Sequence, residues 1–267
     1  MGILNVTPDS FSGDGIFRDP GRAAEKAERI AEDGADIIDI GGESTRPGSA
    51  PVSADEEIKR VIPIVQRLAK RINIPISVDT SKSEVAHRAL DSGASIINDI
   101  TGLAGDEKMI QVAARYDAGV VIMHIQGNPR TMQKRPFYKN LIEEIIERLS
   151  QLVEKAEHAG IKKGNIMIDP GIGFGKTFEH NLDILNNIGS FKSIGKPIVV
   201  GPSRKSFIGH VLGAEPDERI FGTAASAAIA IKNGADVVRA HDVKEIKQVV
   251  QISDAIAKRT AKEAVNV

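Results

Sequence analysis

The chain has 267 residues, 41% of them hydrophobic and 27% charged, enough apolar material for a sizeable buried core. Its 35 Lys and Arg against 36 Asp and Glu leave a net charge of −1, with no basic excess for generic binding of a nucleic-acid backbone. The absence of cysteine excludes disulfides, thiolate metal sites, iron–sulfur clusters and a cysteine nucleophile together.

In chain order, an apolar run at residues 2–6 predicts a first strand, and the 3.6-residue periodicity of residues 21–33 a first helix. Further strands are predicted at 34–40, 75–79, 93–98, 118–124, 165–169, 197–201 and 234–239. Helices are predicted between and after them at 54–71, 83–91, 106–117, 141–159, 178–188, 219–233 and 243–258. Four of the strands open on one phrase, a Gly-Ala or Ala-Gly pair followed by an apolar run, as in Gly34-Ala35-Asp36-Ile37-Ile38. The glycine ends a helix and the β-branched residues begin a strand. Runs with so little polar alternation suit a parallel sheet covered on both faces. Eight units, strand first and helix last, predict a single-domain α/β fold, a (β/α)8 TIM barrel over residues 1–267. A doubly wound sheet is the alternative, but it usually carries a Gly-rich phosphate fingerprint after its first strand, and Asn5-Val6-Thr7-Pro8-Asp9 is not one.

Barrels of this kind place their active sites at the C-terminal ends of the strands. Those ends carry Asn5, Asp39 with Glu43, Asp79, Asn98 with Asp99, His124, Asp169, Ser203-Arg204-Lys205, and Arg239 with His241. Any one of them alone reads as a capping or satisfied core side chain. So many polar groups converging on one axis need a ligand or mutual pairing. Asp79, Asn98 and Asp169 suit a flat heterocycle edged with N–H donors. Arg204, Lys205, Arg239 and His241 gather where barrel enzymes often hold phosphate. Residues 7–15 and 41–49 are long, Gly-rich and polar, a composition that favours mobile lids. The stretch 169–177 falls short of a nucleotide P-loop because Pro170 stands where glycine is required. His87, His158, His180 and His210 read as surface or capping side chains, so no protein-caged transition metal is expected. Magnesium, held by one side chain and substrate phosphates, is the metal the pattern allows. With no export leader and no apolar stretch near the roughly 20 residues a membrane span needs, a cytoplasmic chain without membrane partners is expected.

Leu4-Asn5-Val6-Thr7-Pro8-Asp9-Ser10-Phe11-Ser12 and Asp39-Ile40-Gly41-Gly42-Glu43-Ser44-Thr45-Arg46-Pro47-Gly48 closely resemble the two signatures of dihydropteroate synthases. Matches continue at residues 77–80, 97–99, 169–174, 201–206 and 239–242, so the resemblance covers nearly the whole barrel. It implies a transferase of folate biosynthesis, a sulfonamide target, that joins 6-hydroxymethyl-7,8-dihydropterin diphosphate to 4-aminobenzoate, releasing diphosphate and forming 7,8-dihydropteroate. Carried over residue by residue, it implies that Asp79, Asn98, Asp169 and Lys205 hold the pterin ring, beside the apolar Met123 and Phe174. It also implies that Asn5 binds the Mg2+ bridging the diphosphate and that Arg239, His241 and Thr45 take the diphosphate oxygens. Phe11, Pro47 and Ser206 would form the aminobenzoate pocket, with Arg46 in the same substrate-binding loop. The catalytic set so implied is Asp79, Asp169, Lys205, Arg239 and His241.

Two departures from the family pattern stand out. Phe11-Ser12 continues as Gly13-Asp14-Gly15 where the family usually has Asp-Gly-Gly, and Met1 leads straight into strand one where many members carry a hairpin. Closure of the barrel floor must therefore come from elsewhere, or from a longer native chain. The resemblance further implies a homodimer paired through outer helices, with the Ala-rich residues 219–233 a candidate face. Three rivals remain at this point: a methyltransferase of the same pterin-binding superfamily, a Schiff-base aldolase using Lys205, and a non-catalytic pterin-binding paralogue. The methyltransferase would not need Ser203-Arg204-Lys205-Ser206 or Thr45-Arg46-Pro47. Residues for diphosphate and aminobenzoate argue against the paralogue.

Overall fold

The computed structural model describes residues 1–7, 19–45 and 48–265. In it, strands and helices alternate as β1 (Gly2–Asn5), α1 (Pro20–Glu32), β2 (Ile38–Gly41), α2 (Ala54–Leu68), β3 (Ile76–Asp79), α3 (Ser83–Asp91), β4 (Ile96–Asp99) and α4 (Met109–Arg115). They continue as β5 (Gly119–Met123), α5 (Leu141–His158), β6 (Ile166–Asp169), α6 (Phe178–Asn186), β7 (Val199–Val200), α7 (Ser206–Leu212), α8 (Ile220–Lys232), β8 (Val237–Val238) and α9 (Val243–Val265). Strands β1 to β6 pair in sequence order as one parallel sheet, and β7 pairs with β8. Single bridges, Ile168 to Ile198 and Gly2 to Ala240, join the two pieces and close the barrel. This is the predicted (β/α)8 architecture.

The local chemistry explains where the helices start. Asp19 caps α1, accepting from the backbone N–H of Gly21 at 2.8 Å and Arg22 at 3.2 Å, with Pro20 in the first turn. The helix then buries Ala23, Ala24, Ala27 and Ile30, one apolar stripe at helical spacing. At α6, Thr177 and His180 cap each other's backbone N–H groups, a capping box that uses a histidine. Helix α7 is absent from the predicted set. Its seven residues make only about two turns, too few to display a period in the sequence.

The lower end of the barrel interior is filled by Ile96, Val121 and Val199, with Met1, Ile37, Met167 and Val237 packed against them. The strands themselves therefore supply the floor. Among the described residues, no helix is long and apolar enough to cross a membrane. The upper end of the interior is where the polar residues lie.

Candidate active site

Strand register assembles the site. Parallel pairing aligns Asn5 with Gly41, Gly41 with Asp79 and Asp79 with Asn98 across β1 to β4, and Met123 with Asp169 across β5 and β6. Side chains two residues apart share a face of a strand. Asp39 and Ser77, which pair with each other, therefore sit one layer below Gly41 and Asp79. Carboxylates that are 40 or more residues apart in sequence become neighbours.

Arg239, just past β8, reaches into this row. Its Nε donates to Asp39 Oδ2 at 2.6 Å and its Nη2 to Asp79 Oδ2 at 2.9 Å. Asn98 Nδ2 donates to the same Asp39 oxygen at 3.0 Å. The guanidinium expected on the anion side thus lies in contact with acceptors of the heterocycle side. Asp39 is fully buried, and its Oδ1, like Ser77 Oγ, has no hydrogen-bond partner among the described residues. Burial pushes Asp79 up to about 7 against the pull of Arg239, with Asp39 beside it adding to the rise. A bound ring with N–H groups along its edge would supply donors where this crater is short of them.

On the other side, Asp169 Oδ1 accepts from the N–H of Gly171 at 2.7 Å. Burial raises its pKa, while that N–H and the charge of Lys205 pull it back. Lys205 lies over the ring of Phe174, its Nζ 4.1 Å from the centroid. Burial lowers Lys205 to about 8, opposed by Asp169. The turn that delivers Lys205 is strained: Arg204 has a φ of +59°. It is held there from three sides. Asp242 grips the guanidinium through both oxygens, Thr223 Oγ1 accepts from the Arg204 N–H at 3.1 Å, and Arg219 donates to the Arg204 carbonyl at 3.0 Å. Arg204 thus supports the turn rather than joining the cations of the site.

His241 stands beside Ser203, with Nδ1 3.0 Å from Oγ, while Oγ accepts from the His241 backbone N–H at 3.2 Å. When the hydroxyl gives its one proton to Nδ1, the imidazole proton lies on Nε2. Burial, with Arg239 and Arg204 nearby, holds His241 down at about 3, so it acts as a neutral donor. Thr45 is half-buried and lines a cavity of about 230 Å³ together with Glu43, Asp79, Thr80 and Ile100. Glu43 accepts from the Val52 N–H at 3.0 Å and is paired with Lys82, whose ammonium also meets the buried Glu57 at 2.6 Å. Ser206 is exposed as the first residue of α7. Phe11, Arg46 and Pro47 lie outside the described residues, as does Gly13-Asp14-Gly15.

Among the described residues, no three His, Cys, Asp or Glu side chains cluster to cage a metal. Asn5 fits a different role. Gly41 beside it has no side chain, and a Cβ there would stand 3.4 Å from Asn5 Oδ1 and 3.9 Å from Asp79 Oδ2. The missing side chain leaves a Cβ-sized space beside that amide oxygen, and one such oxygen is what a magnesium ion taking its other ligands from phosphate and water would need.

Sequence reasoning placed Asp39, Glu43 and Ser203 at the strand ends without giving them a role, and it passed over Lys82 and Glu57. The signal for Asp39 was its two-residue spacing from Gly41. Lys82 carried none, since only the fold brings it to Glu43.

A family model described as pterin binding enzyme matches residues 1–241. The chain is 48% identical to a dihydropteroate synthase of Synechocystis, over 96% of this chain and 89% of that protein. Its fold matches the crystal structure of Yersinia pestis dihydropteroate synthase in a sulfonamide drug complex, with a TM-score of 0.93 at 43% identity over 97% of this chain and 94% of that one. The Clostridium difficile enzyme, crystallised in the presence of pteroic acid, gives a TM-score of 0.90 at 46% identity, covering 96% and 95% of the two chains.

Proposed function

The chain belongs to the dihydropteroate synthase family of pterin-binding enzymes and forms dihydropteroate in folate biosynthesis, and from that premise we propose how its own residues carry the reaction. Asp79, Asn98 and Asp169 hold the amino-pyrimidinone edge of the pterin, accepting its N–H groups. Met123 and Phe174 flank the ring and exclude water. When the ring's donors reach Asp79 they replace one contact of Arg239, whose Nη2 is then available to the diphosphate. Breaking the carbon–oxygen bond sends its electron pair out with diphosphate and leaves positive charge on the pterin methylene, which Asp79 and Asp169 favour. Arg239, Nε2–H of His241 and the Thr45 hydroxyl meet the growing negative charge, so they stabilise the transition state more than the bound substrate. Asn5 would hold a magnesium ion, whose charge would offset that of the diphosphate. The aniline nitrogen of 4-aminobenzoate, unprotonated near neutral pH, then attacks the methylene, and the acidic anilinium so formed gives its extra proton to water, so no strong general base is required. Ser206 borders its pocket, with Phe11, Arg46 and Pro47 as the family pattern places them.

The observation that carries this reading is the acceptor row of Asp79, Asn98 and Asp169 meeting Lys205 and Arg239 in one buried mouth. The test is diphosphate release, which should require the pterin diphosphate and 4-aminobenzoate together; release with either alone at the same rate would overturn it. The cysteine-free composition supports a reducing, cytoplasmic location. A homodimer is supported by the exposed apolar side chains Val211, Leu212, Phe221 and Ile229 on α7 and α8.

A further inference from the structure

Lys176 lies in the connection from β6 to α6 with 2% of its surface exposed. Its ammonium is 2.8 Å from the Phe174 carbonyl, 3.2 Å from the Gly171 carbonyl and 3.0 Å from His124 Nδ1. An ammonium has three N–H donors and no lone pair, so these contacts use all of it and make His124 Nδ1 the acceptor. Burial, with Lys176 beside it, holds His124 down at about 3, which keeps that nitrogen free to accept. Burial also draws Lys176 down to about 7, opposed by Asp169, and below that pH the form with three donors prevails.

The two carbonyls belong to the loop that carries the working groups of this side of the site. The Gly171 N–H holds Asp169 Oδ1, and the Phe174 ring lies over Lys205. The same loop is pressed on the segment after β5. Gly171 has a φ of +75°, and a Cβ on it would come within 1.9 Å of the His124 carbonyl. Gln133 and Tyr138 donate to the carbonyls of Gly173 and Gly175 at 2.7 and 2.8 Å. Those bonds fix the outside of the loop. Inside the loop, buried Asn181 accepts from the Gly173 N–H at 2.6 Å, and Lys176 links the backbone beside Asp169 and the backbone of Phe174 to His124 at the end of β5.

We propose that Lys176 is a positioning residue that sets Phe174, and through it Lys205, against the bound pterin by clasping the Gly171 and Phe174 carbonyls to His124. The inference rests on the synthase reading, so the dependence of the unsubstituted chain on both substrates is measured first, and only an active enzyme enters the comparison. Lys176→Met keeps the length and apolar bulk of the side chain without a donor. It should lower kcat/KM for the pterin diphosphate by about 10–100-fold, chiefly through KM, the scale expected for small misplacement of substrate-holding groups. If Lys176 acts through Phe174, its loss should cost little once that ring is gone: Lys176→Met with Phe174→Ala should match Phe174→Ala alone within about threefold. A folded Lys176→Met enzyme within about twofold of the unsubstituted one, or losses that multiply in the double variant, would overturn the proposal. Should Lys176→Met fail to fold by circular dichroism, His124→Phe, which removes Nδ1 and keeps a ring, takes its place in the same cycle. A raised KM that vanishes in the Phe174→Ala background supports the clasp, and independent losses refute it.

Discussion

Arg239 carries two duties that substitutions can separate. Its guanidinium neutralises Asp39 and Asp79 in the resting site and is the donor assigned to the departing diphosphate. Arg239→Ala should therefore lower kcat by about 10²–10³ through the lost donor. It should also destabilise the fold by about 3–5 kcal/mol, because two buried carboxylates lose their counterion. Arg239→Lys should recover much of the stability and little of the rate, since an ammonium cannot span both carboxylates as the planar fork does. Steady-state kinetics read beside thermal melting separates the two effects. Asp169 is simpler: Asp169→Ala should abolish pterin binding in a calorimeter with the fold intact, and an unchanged affinity would remove it from the site. The pH dependence follows from the same residues. Asp79 must be ionised to accept N–H groups, so kcat/KM for the pterin diphosphate should climb as pH rises toward about 7. Lys205 must be charged, and the three-donor form of Lys176 gives way above about 7, so the value should fall from about 7 to 8 upward. His241, at about 3, contributes neither limb. A profile flat from pH 6 to 9 would contradict both assignments.

At the scale of elements, the connections do more than join strands to helices. The segment after β2 is anchored by Glu43, which holds the Val52 N–H and pairs with Lys82 after β3, while Lys82 also neutralises Glu57 on α2. Glu57 is fully buried, whereas Glu43 is partly exposed. Burial raises the Glu57 pKa, and the Lys82 ammonium opposes the rise. Lys82→Met would leave that carboxyl without its counterion and should destabilise the fold by about 3 kcal/mol. Glu43→Leu, which removes the acceptor of the Val52 N–H, should move the melting temperature less than Lys82→Met, yet raise KM because the segment that carries Thr45 loses its anchor. If both variants melt alike and bind substrate alike, the anchor has no such role. The turn before α7 shows the same economy of parts. A strained Arg204 backbone, restrained by Asp242, Thr223 and Arg219, delivers Lys205 to the mouth.

For the whole molecule, the exposed apolar side chains on α7 and α8 bear on assembly, with Phe221 83% exposed. A charge placed on such a patch would be buried and unpaired in a dimer, so Phe221→Glu should yield monomers in analytical ultracentrifugation, with the unsubstituted chain sedimenting as a dimer. Monomers in both samples would dismiss the assembly. The barrel itself was legible in the chain. Glycine-ended helices and β-branched runs recur at a regular interval, and local steric preference together with apolar periodicity suffices to order strands and helices. Polar residues at strand ends were legible for the same reason, because the fold class fixes which end of a strand is the mouth. Helix α7 was not, being too short for a period, nor was the contact of Arg239 with Asp39, which lies 200 residues away. Element order and the chemical types at the mouth were thus determined by sequence alone, since they depend on near neighbours along the chain. Which carboxylate meets which cation, which histidine stays neutral and which lysine clasps a loop were decided only when barrel closure set distance and burial, because both the Coulomb energy of a pair and the cost of losing water depend on them.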